Sequence, residues 1–557
     1  MSVHFEVVQS LDELPVFSLD HPVFSDIETE ELYVGTRMIQ IYQPDTNPTI
    51  FLLDTDIMSE QSIIDFIKPL HTVWWNCSYD FGTLNMTTGK FDDLIYAYKT
   101  AYPEWGTMAV PKGSKPYSLD VVISRMGYDH LYTGLDKKAM QKQGFVKGAY
   151  LSDAQLRYSA TDVYALSLLW KDAKAQDVIA NNLAYKVDIM SMKYAIVYQQ
   201  NGIPVDQRLV REAIDTTTSR IKENEALLGG LNTNSPKQCK EALGTASTDK
   251  NTLIKLINNG NKLAKLIYDQ RRLLKRKGML ETYNFPRVYT RYNVAGAGTG
   301  RFTATGGDLP RGINAQQIPR DLQHMFRSTN ESTIVIEADY STLELRLACA
   351  IFNEPNMYKQ LKDGEDLHTS MAQDVSGKKD VDKEERIKAK AINFGFVFGM
   401  SAPSFQEYAF VNFGVTTTDD EAAATRTKYF AKYPSIAKYH KYVWNEVKKG
   451  TYIYKTALGR RVKPKLGTDG INGPVQGSGA ETTKLAVHYM VKETDGECLK
   501  YIVNVVHDAI YLEVPIDKEE YWSHMLEHCM LKAWTEISKT DLFKFKDIPM
   551  IAEVKRV

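Results

Sequence analysis

At 557 residues, 43% of them apolar, the chain is too long for one hydrophobic core and has material for two or more domains. Its charges nearly cancel, yet residues 1–180 hold 24 acids against 14 bases, so that part is −10 and, the total being −1, the remainder is +9, which excludes reading the near-neutral total as indifference to polyanions. Five scattered cysteines (Cys77, Cys239, Cys349, Cys498, Cys529) without CxxC or Cys/His spacing exclude a disulfide framework or a zinc site, and with neither an apolar run of membrane-span length nor a leader pattern at the N-terminus the expected compartment is the reducing cytoplasm.

Residues 1 to about 180 alternate short β-type runs (22–27, 38–42, 49–53, 73–75) with helical stretches, the pattern of an α/β module. Asp26 and Glu28 are two apart on the first run and therefore share a face. Asn76-x2-Tyr79-Asp80 follows, then Tyr158-x3-Asp162, whose spacing puts both side chains on one side of a helix. Each fragment alone is a weak signal. Residues 186–285 read as long helices, and 250–277 carries nine cations, Lys262, Lys265, Arg271 and Arg272 among them, against Asp269 alone. A solvated face normally mixes signs, so the imbalance favours phosphate contact. Six glycines between 296 and 312 surround Arg301, which suits either a backbone that approaches a ligand or a flexible connector.

Further on, the apolar run 333–339 predicts a strand ending in Asp339, with Glu344 and Arg346 opening a helix. A lone strand-end aspartate is usually a cap or turn residue. The region 361–470 reads as helical. In it Arg386, Lys390, Phe394 and Phe398 recur every four positions, a stripe of cations then rings about 18 Å long at ~1.5 Å per residue, with the polarity of a nucleoside triphosphate. Ala389, Ala391 and Gly395 are expected to keep the surface beside that stripe thin. The runs 501–506 and 510–514 form a hairpin pattern with His507-Asp508-Ala509 at its tip.

Asp339-Tyr340-Ser341-x2-Glu344-Leu345-Arg346, Arg386-x3-Lys390-x2-Asn393-Phe394-Gly395-x2-Phe398-Gly399 and Val506-His507-Asp508 resemble, in order and spacing, the three polymerase motifs of family A DNA polymerases. Thr299-Gly300-Arg301, Asn314-x-Gln316-Gln317-Ile318-Pro319, Asp366-Leu367-His368 and Asn472-x-Pro474-x-Gln476-Gly477 support the likeness, which spans about 186–557. It implies that Asp339, Asp508 and the Tyr340 carbonyl bind two Mg2+ ions, with Mn2+ as a substitute. It also implies that Arg386 and His368 grip the triphosphate, that Lys390 assists pyrophosphate departure as a general acid, that Phe394 and Phe398 meet the incoming sugar and base, and that Glu344 gates against a ribose 2′-hydroxyl. Phe394 lacks the hydroxyl that eases acceptance of dideoxynucleotides. Arg301, Asn314, Gln316, Gln317, Asn472, Gln476 and His507 become candidates for DNA contact, Arg301 and Gln476 for reading the minor-groove acceptors. Ala509 stands where the family usually has Glu, Phe398 where Tyr is usual, and the segment before Asn472 is short.

In the N-terminal part, Asp26 and Glu28, Asp80, and Tyr158 with Asp162 resemble the three motifs of DEDD-type 3′–5′ exonucleases of the tyrosine subclass. This implies that the four carboxylates hold two metal ions while Tyr158 orients the attacking water. The expected fold is an α/β, RNase H-like exonuclease domain with a mixed sheet (1–185), then an α+β right-hand polymerase domain (186–557) with thumb at about 205–285, palm at 286–360 and 471–557, and fingers at 361–470. Primer-template DNA and dNTPs are the expected ligands, with a helicase, primase or single-strand-binding protein as further candidate partners, and no membrane. The absence of a preceding 5′-nuclease module and of a large insertion in 205–285 leads to the expectation of a phage or mobile-element replicase. A single-subunit RNA polymerase and a stand-alone nuclease are the competing readings.

Overall fold

The structure is a computed structural model that describes residues 3–31, 34–86, 89–136, 139–140, 143–307 and 309–557. Among the described residues, β1 (Phe5–Val8), β2 (Val23–Glu31), β3 (Val34–Tyr42), β4 (Ile50–Asp54), β5 (His71–Trp74) and β6 (Lys90–Asp93) form one mixed sheet in the order β1-β4-β3-β2-β5-β6. β3 runs antiparallel to both neighbours and the other pairings are parallel. Helices α1 (Glu60–Ile67), α2 (Ser78–Leu84), α3 (Leu94–Ala101), α4 (Leu119–Arg125) and α5 (Asp153–Leu169) belong to this module, α5 packing across β2, β3 and β4. The start of α5 is written in the sequence: Ser152 accepts from the Gln155 amide while the Gln155 side chain accepts from Ser152 N at 3.0 Å, a reciprocal cap.

The boundary expected at 185/186 falls inside a helix. After α6 (Ala173–Asn181), α7 (Leu183–Tyr198) is buried on most sides, as its nearly continuous apolar sequence requires. Its Tyr185 hydroxyl donates to Asp92 Oδ1 (2.8 Å) and accepts from Asp93 N (3.1 Å) in the N-terminal module, whereas its Tyr194 hydroxyl meets His488 Nδ1 (2.9 Å) in the C-terminal part. One apolar core runs through both parts, in place of the separate cores that length alone suggested.

α8 (Gln207–Leu228), α9 (Pro236–Leu243), α10 (Lys250–Asn258) and α11 (Lys262–Tyr283) form an arm with one small core around Leu228, Cys239 and Ile267 and a second at its base that it shares with Val288, Ile313, Leu322 and Phe326. The cationic stretch 250–277 is thus two helices, broken where Gly260 takes a positive φ (+81°) and Asn261 caps α11.

β7 (Thr333–Tyr340), β8 (Ile502–Val506), β9 (Ala509–Pro515) and β10 (Ala552–Arg556) make a second, antiparallel sheet in the order β8-β9-β7-β10. Between its strands the chain supplies α12 (Leu343–Phe352), α13 (Pro355–Lys362), α14 (Leu367–Ser376), α15 (Lys383–Val397), α16 (Ala402–Phe413), α17 (Asp419–Lys432), α18 (Pro434–Lys448), the long α19 (Gly467–Glu493) and α20 (Glu519–Ser538), which packs on α19 and on the sheet. Among the described residues no helix is long and apolar enough to cross a membrane.

Candidate active sites

In β7 Asp339 lies opposite Ala509, the first residue of β9, so it is next to the two-residue turn His507-Asp508. The turn needs His507 at φ +54° and is held from two sides: Gln316 Nε2 donates to Val505 O (2.6 Å) and its Oε1 accepts from His507 N (3.4 Å), while Thr483 on α19 donates to His507 O (3.3 Å). Burial first, then the charges of Asp339 and Glu344, push the Asp508 carboxyl up to about 7. Asp339 is raised for the same leading reason, and its Oδ1 is buried without a hydrogen-bond partner. Two crowded carboxylates with an orphaned oxygen fit a divalent cation. The Tyr340 side chain is buried, its hydroxyl bonded to Met530 O (2.8 Å), so only its backbone remains for a ligand.

α15 carries Arg386, Lys390 and Phe394 in the expected order and brings Lys390 within electrostatic reach of Asp339, but the stripe ends there: Phe398 caps the helix C-terminus and is 9% exposed. Ala389, Ala391 and Gly395 do not thin the ligand side. They are buried, and a Cβ on Gly395 would come within 2.8 Å of the Phe405 ring, so the smallness of Gly395 serves the packing of α16 on α15. Arg386 is exposed and pairs with Asp366, which also caps α14 through the amides of His368 (2.8 Å) and Thr369 (2.9 Å). His368 is buried, and burial pushes its imidazole down to about 4. Asn393 Nδ2 lies 2.9 Å from its Nδ1; with Nδ1 as the acceptor of that bond, Nε2 carries the proton. His368 is therefore a neutral hydrogen-bond donor. Its ring lies 5.6 Å from that of Phe394. Lys390 is half-buried, and its pKa is lowered by burial and then by Arg320 and Arg386.

Among the DNA-contact candidates the structure separates several. Arg301 forms an ion pair with Glu344 beside Asp508. Gln316 is spent on the hairpin backbone, and Asn314 Oδ1 on Gln316 N (3.1 Å), which makes both scaffold residues here. Gln317 is exposed. Asn472 and Gln476 line a cleft of about 700 Å³ between the two sheet modules, shared with Lys99, Arg461, Lys463 and Lys465. On α11, Lys262, Lys265 and Arg272 are exposed, with Lys265 bonded to Asp269 (2.9 Å) and Arg272 over the Tyr268 ring. Arg271 overturns its expected role: its guanidinium turns inward onto Thr233 O (2.7 Å) and Thr248 O (2.6 Å), tying α9 and α10 to α11. The glycine-rich stretch 296–302 is no free connector either, for it joins the paired antiparallel strands Arg291–Asn293 and Thr303–Thr305.

In the N-terminal module, ligand oxygens of Asp26, Glu28 and Asp162 lie within 4.8 Å of one another. Asp80 stands close enough to Asp26 for that charge, after burial, to raise its pKa, and its Oδ1 is buried without a hydrogen-bond partner. Asp93 positions α2, and with it Asp80, by accepting from the amides of Asn76 (2.9 Å) and Cys77 (2.8 Å). Tyr158 is buried against the carboxylates, and burial leads the rise in its pKa, followed by Asp162 and Glu28.

Three residues at these centres have no signal in the sequence. Tyr132 donates to Asp162 Oδ1, and Ser159 donates to Glu28 Oε1 (3.3 Å). Arg320 faces Asp339, Lys390 and His507, whose titrations it biases. Isolated arginines, serines and tyrosines are too common for spacing to single them out.

The fold, a mixed-sheet module leading into a helical region around an antiparallel sheet with paired aspartates, is one that solved structures share. The POL domain of Pol1 from M. smegmatis, in complex with DNA primer-template and dNTP, matches over 96% of this chain and 94% of its own with a TM-score of 0.73 at 18% identity. The family model "DNA polymerase family A" matches residues 207–555, and the chain belongs to that family. The competing readings of the C-terminal part, an RNA polymerase or a mere nucleic-acid-binding appendage of a nuclease, fall with it. DNA polymerase I of Aquifex aeolicus is 29% identical over 94% of both chains. DNA polymerase I of Geobacillus stearothermophilus is 27% identical over 45% of this chain, which there spans only 29% of the relative's length.

Proposed function

We propose that the chain performs template-directed DNA synthesis, adding deoxynucleotides to a primer 3′-hydroxyl, and that residues 1–185 edit the product as a 3′–5′ exonuclease. In this reading 205–285 is the thumb, 286–360 and 471–557 the palm, and 361–470 the fingers. The observation that carries it is the placement of Asp339 beside the Asp508 turn, with one carboxylate oxygen orphaned and the other carboxyl's acidity suppressed. Leaving such groups uncompensated is costly, and hard oxygen donors favour Mg2+, two ions per centre, with Mn2+ as a substitute. When bound, such ions lower the pKa of the attacking hydroxyl or water and neutralise developing phosphoryl charge.

The chain's own groups do the rest. Arg386, Arg320 and the Nε2–H of His368 bind the triphosphate. Lys390, its proton loosened by burial, donates to the departing pyrophosphate. Phe394 packs on the incoming sugar, and Glu344, held by Arg301, occupies the space a ribose 2′-hydroxyl would need. Arg301 and Gln476 test the minor-groove edge of the new pair, with Asn472 and Gln317 beside them, and Lys262, Lys265 and Arg272 hold duplex phosphates. At the editing centre Tyr158 orients the attacking water and Tyr132 fixes Asp162. Helicase, primase or single-strand-binding protein are candidate partners in a cytoplasmic replication role, which the compact arm 205–285 suggests is that of a phage or mobile element.

The test is separation of the two activities. Asp339→Asn or Asp508→Asn abolishes primer extension and leaves 3′-end degradation, and Asp26→Ala with Glu28→Ala does the reverse. Loss of both activities from either change, in folded protein, refutes the assignment. Comparing deoxy- with ribonucleotides in the same assay tests the sugar preference.

A further inference from the structure

Behind the Asp339–Asp508 centre lies a buried group of four charges to which none of the roles above applies: Asp188 on α7, Arg460, and Glu481 and Lys484 on α19, each at most 4% exposed. Asp188 accepts from Lys484 Nζ (2.7 Å) and from Arg460 Nη2 (2.5 Å), and Glu481 accepts from the Thr456 hydroxyl and from Leu458 N (2.8 Å). Two acids balance two bases. Apolar residues of equal volume serve stability as well as a buried ion pair does, so stability alone does not account for a fully buried lysine here.

One bond leads from the group toward the catalytic side. Lys484 Nζ donates to the Gly300 carbonyl (2.7 Å), in the residue before Arg301, and lies 5.2 Å over the Phe302 ring. The same peptide is clamped from other sides. Gly300 has φ +86° and a Cβ there would strike the Arg460 guanidinium, while a Cβ on Gly477 would come within 2.8 Å of Thr299 O. Beyond the clamp, the Arg301 side chain reaches Glu344. The anchor at the other end belongs to α7, where Tyr185, one turn before Asp188, is hydrogen-bonded to Asp92 and Asp93.

We propose that Lys484 is a positioning residue for DNA synthesis: anchored by Asp188, it fixes the Gly300 carbonyl and so aims Arg301 at Glu344 and at the primer-template beside Asp508. The N-terminal module then supports polymerisation through α7, apart from any editing. This rests on the roles of Arg301 and Glu344 given above.

The experiment is a double-mutant cycle of Lys484→Met and Arg301→Ala in the full chain, with melting curves as the check on folding. Lys484→Met should lower kcat/KM for a correct dNTP by about 10- to 100-fold, the size of effect a displaced positioning group produces. It should also raise the ribonucleotide share of incorporation, which a general loss of stability does not move, and add nothing in the Arg301→Ala background. Gly300→Ala displaces the same carbonyl from the opposite side, its Cβ pressing on the Arg460 guanidinium while Lys484 and Asp188 stay in place, reproduces the pattern, and stands in if Lys484→Met does not fold. The proposal is overturned if the two losses multiply, if Lys484→Met leaves rate and sugar selection unchanged, or if Arg301→Ala is silent. Extension that survives Asp508→Asn would instead sink the reading of the whole centre.

Discussion

A hydroxyl is what the Phe394 ring lacks. The ring is half-buried and sits 5.6 Å from that of His368, on the side of α15 that also carries Lys390. A sugar without its 3′-hydroxyl finds no polar partner there, so the wild-type chain should discriminate against dideoxynucleotides and Phe394→Tyr should relax that selectivity. A new hydrogen bond contributes roughly 0.5–1.5 kcal/mol net, which predicts at least a several-fold change in the dideoxy-to-deoxy efficiency ratio, read in an Asp26→Ala, Glu28→Ala background. An unchanged ratio would mean that the ring does not meet the sugar. The buried histidines make a separate prediction. Burial pushes both His368 and His440 down to about 4; the Nε2 of His440 lies 2.9 Å from Val397 O, to which it donates. In the unfolded chain each protonates near the usual 6.5, so above that pH neither affects stability; between about 6.5 and 4 only the unfolded state takes up the proton, and stability falls by at most ~1.4 kcal/mol per pH unit for each. His440→Gln keeps a donor for Val397 and should flatten the acid limb of a melting-temperature profile by that one share. A profile parallel to wild type would show that this histidine is not held neutral.

At the scale of elements, period and sign were legible but direction was not. The four-residue spacing placed Arg386, Lys390 and Phe394 on one side of α15, yet nothing in it told that Ala389 and Ala391 are buried and that Gly395 faces α16, because small residues suit a ligand surface and a helix contact equally well. The cations of 250–277 divide in the same manner. Neutralising Lys262, Lys265 and Arg272, all exposed on α11, should weaken duplex binding regardless of sequence and flatten the salt dependence by roughly 0.9 per lost contact. Arg271→Ala should leave the slope alone and lower stability, since it strips donors from two buried-side carbonyls. A binding titration against salt and a thermal melt separate the two outcomes, and an unaltered slope for the triple variant would return these residues to a solvated face.

Across the whole molecule, the core that runs from the mixed sheet through α7 to the sheet of β7–β10 should make those parts unfold together, although chains of this length commonly unfold in stages. The arm of α8–α11 rests on two small cores, one of them shared with residues 288–326, and should open first, seen as weaker hydrogen-exchange protection. Calorimetry that resolves the two sheet modules into separate transitions would contradict the shared core. In the sequence by itself the family was legible through its motifs, and the cation-then-ring order of Arg386, Lys390 and Phe394 on α15 and the hairpin carrying Asp508 through local spacing: near four on a helix, period two on strands and a two-residue turn. Only the tertiary structure decided that Gln316 and Asn314 brace the hairpin, that Arg271 points inward, that Arg301 and Glu344 are partners 43 positions apart, and that the boundary at 185/186 falls within the first turn of a helix. The reason is physical: a hydrogen-bonding group is indifferent to how far along the chain its partner lies, so its employment is settled when packing closes the space around it.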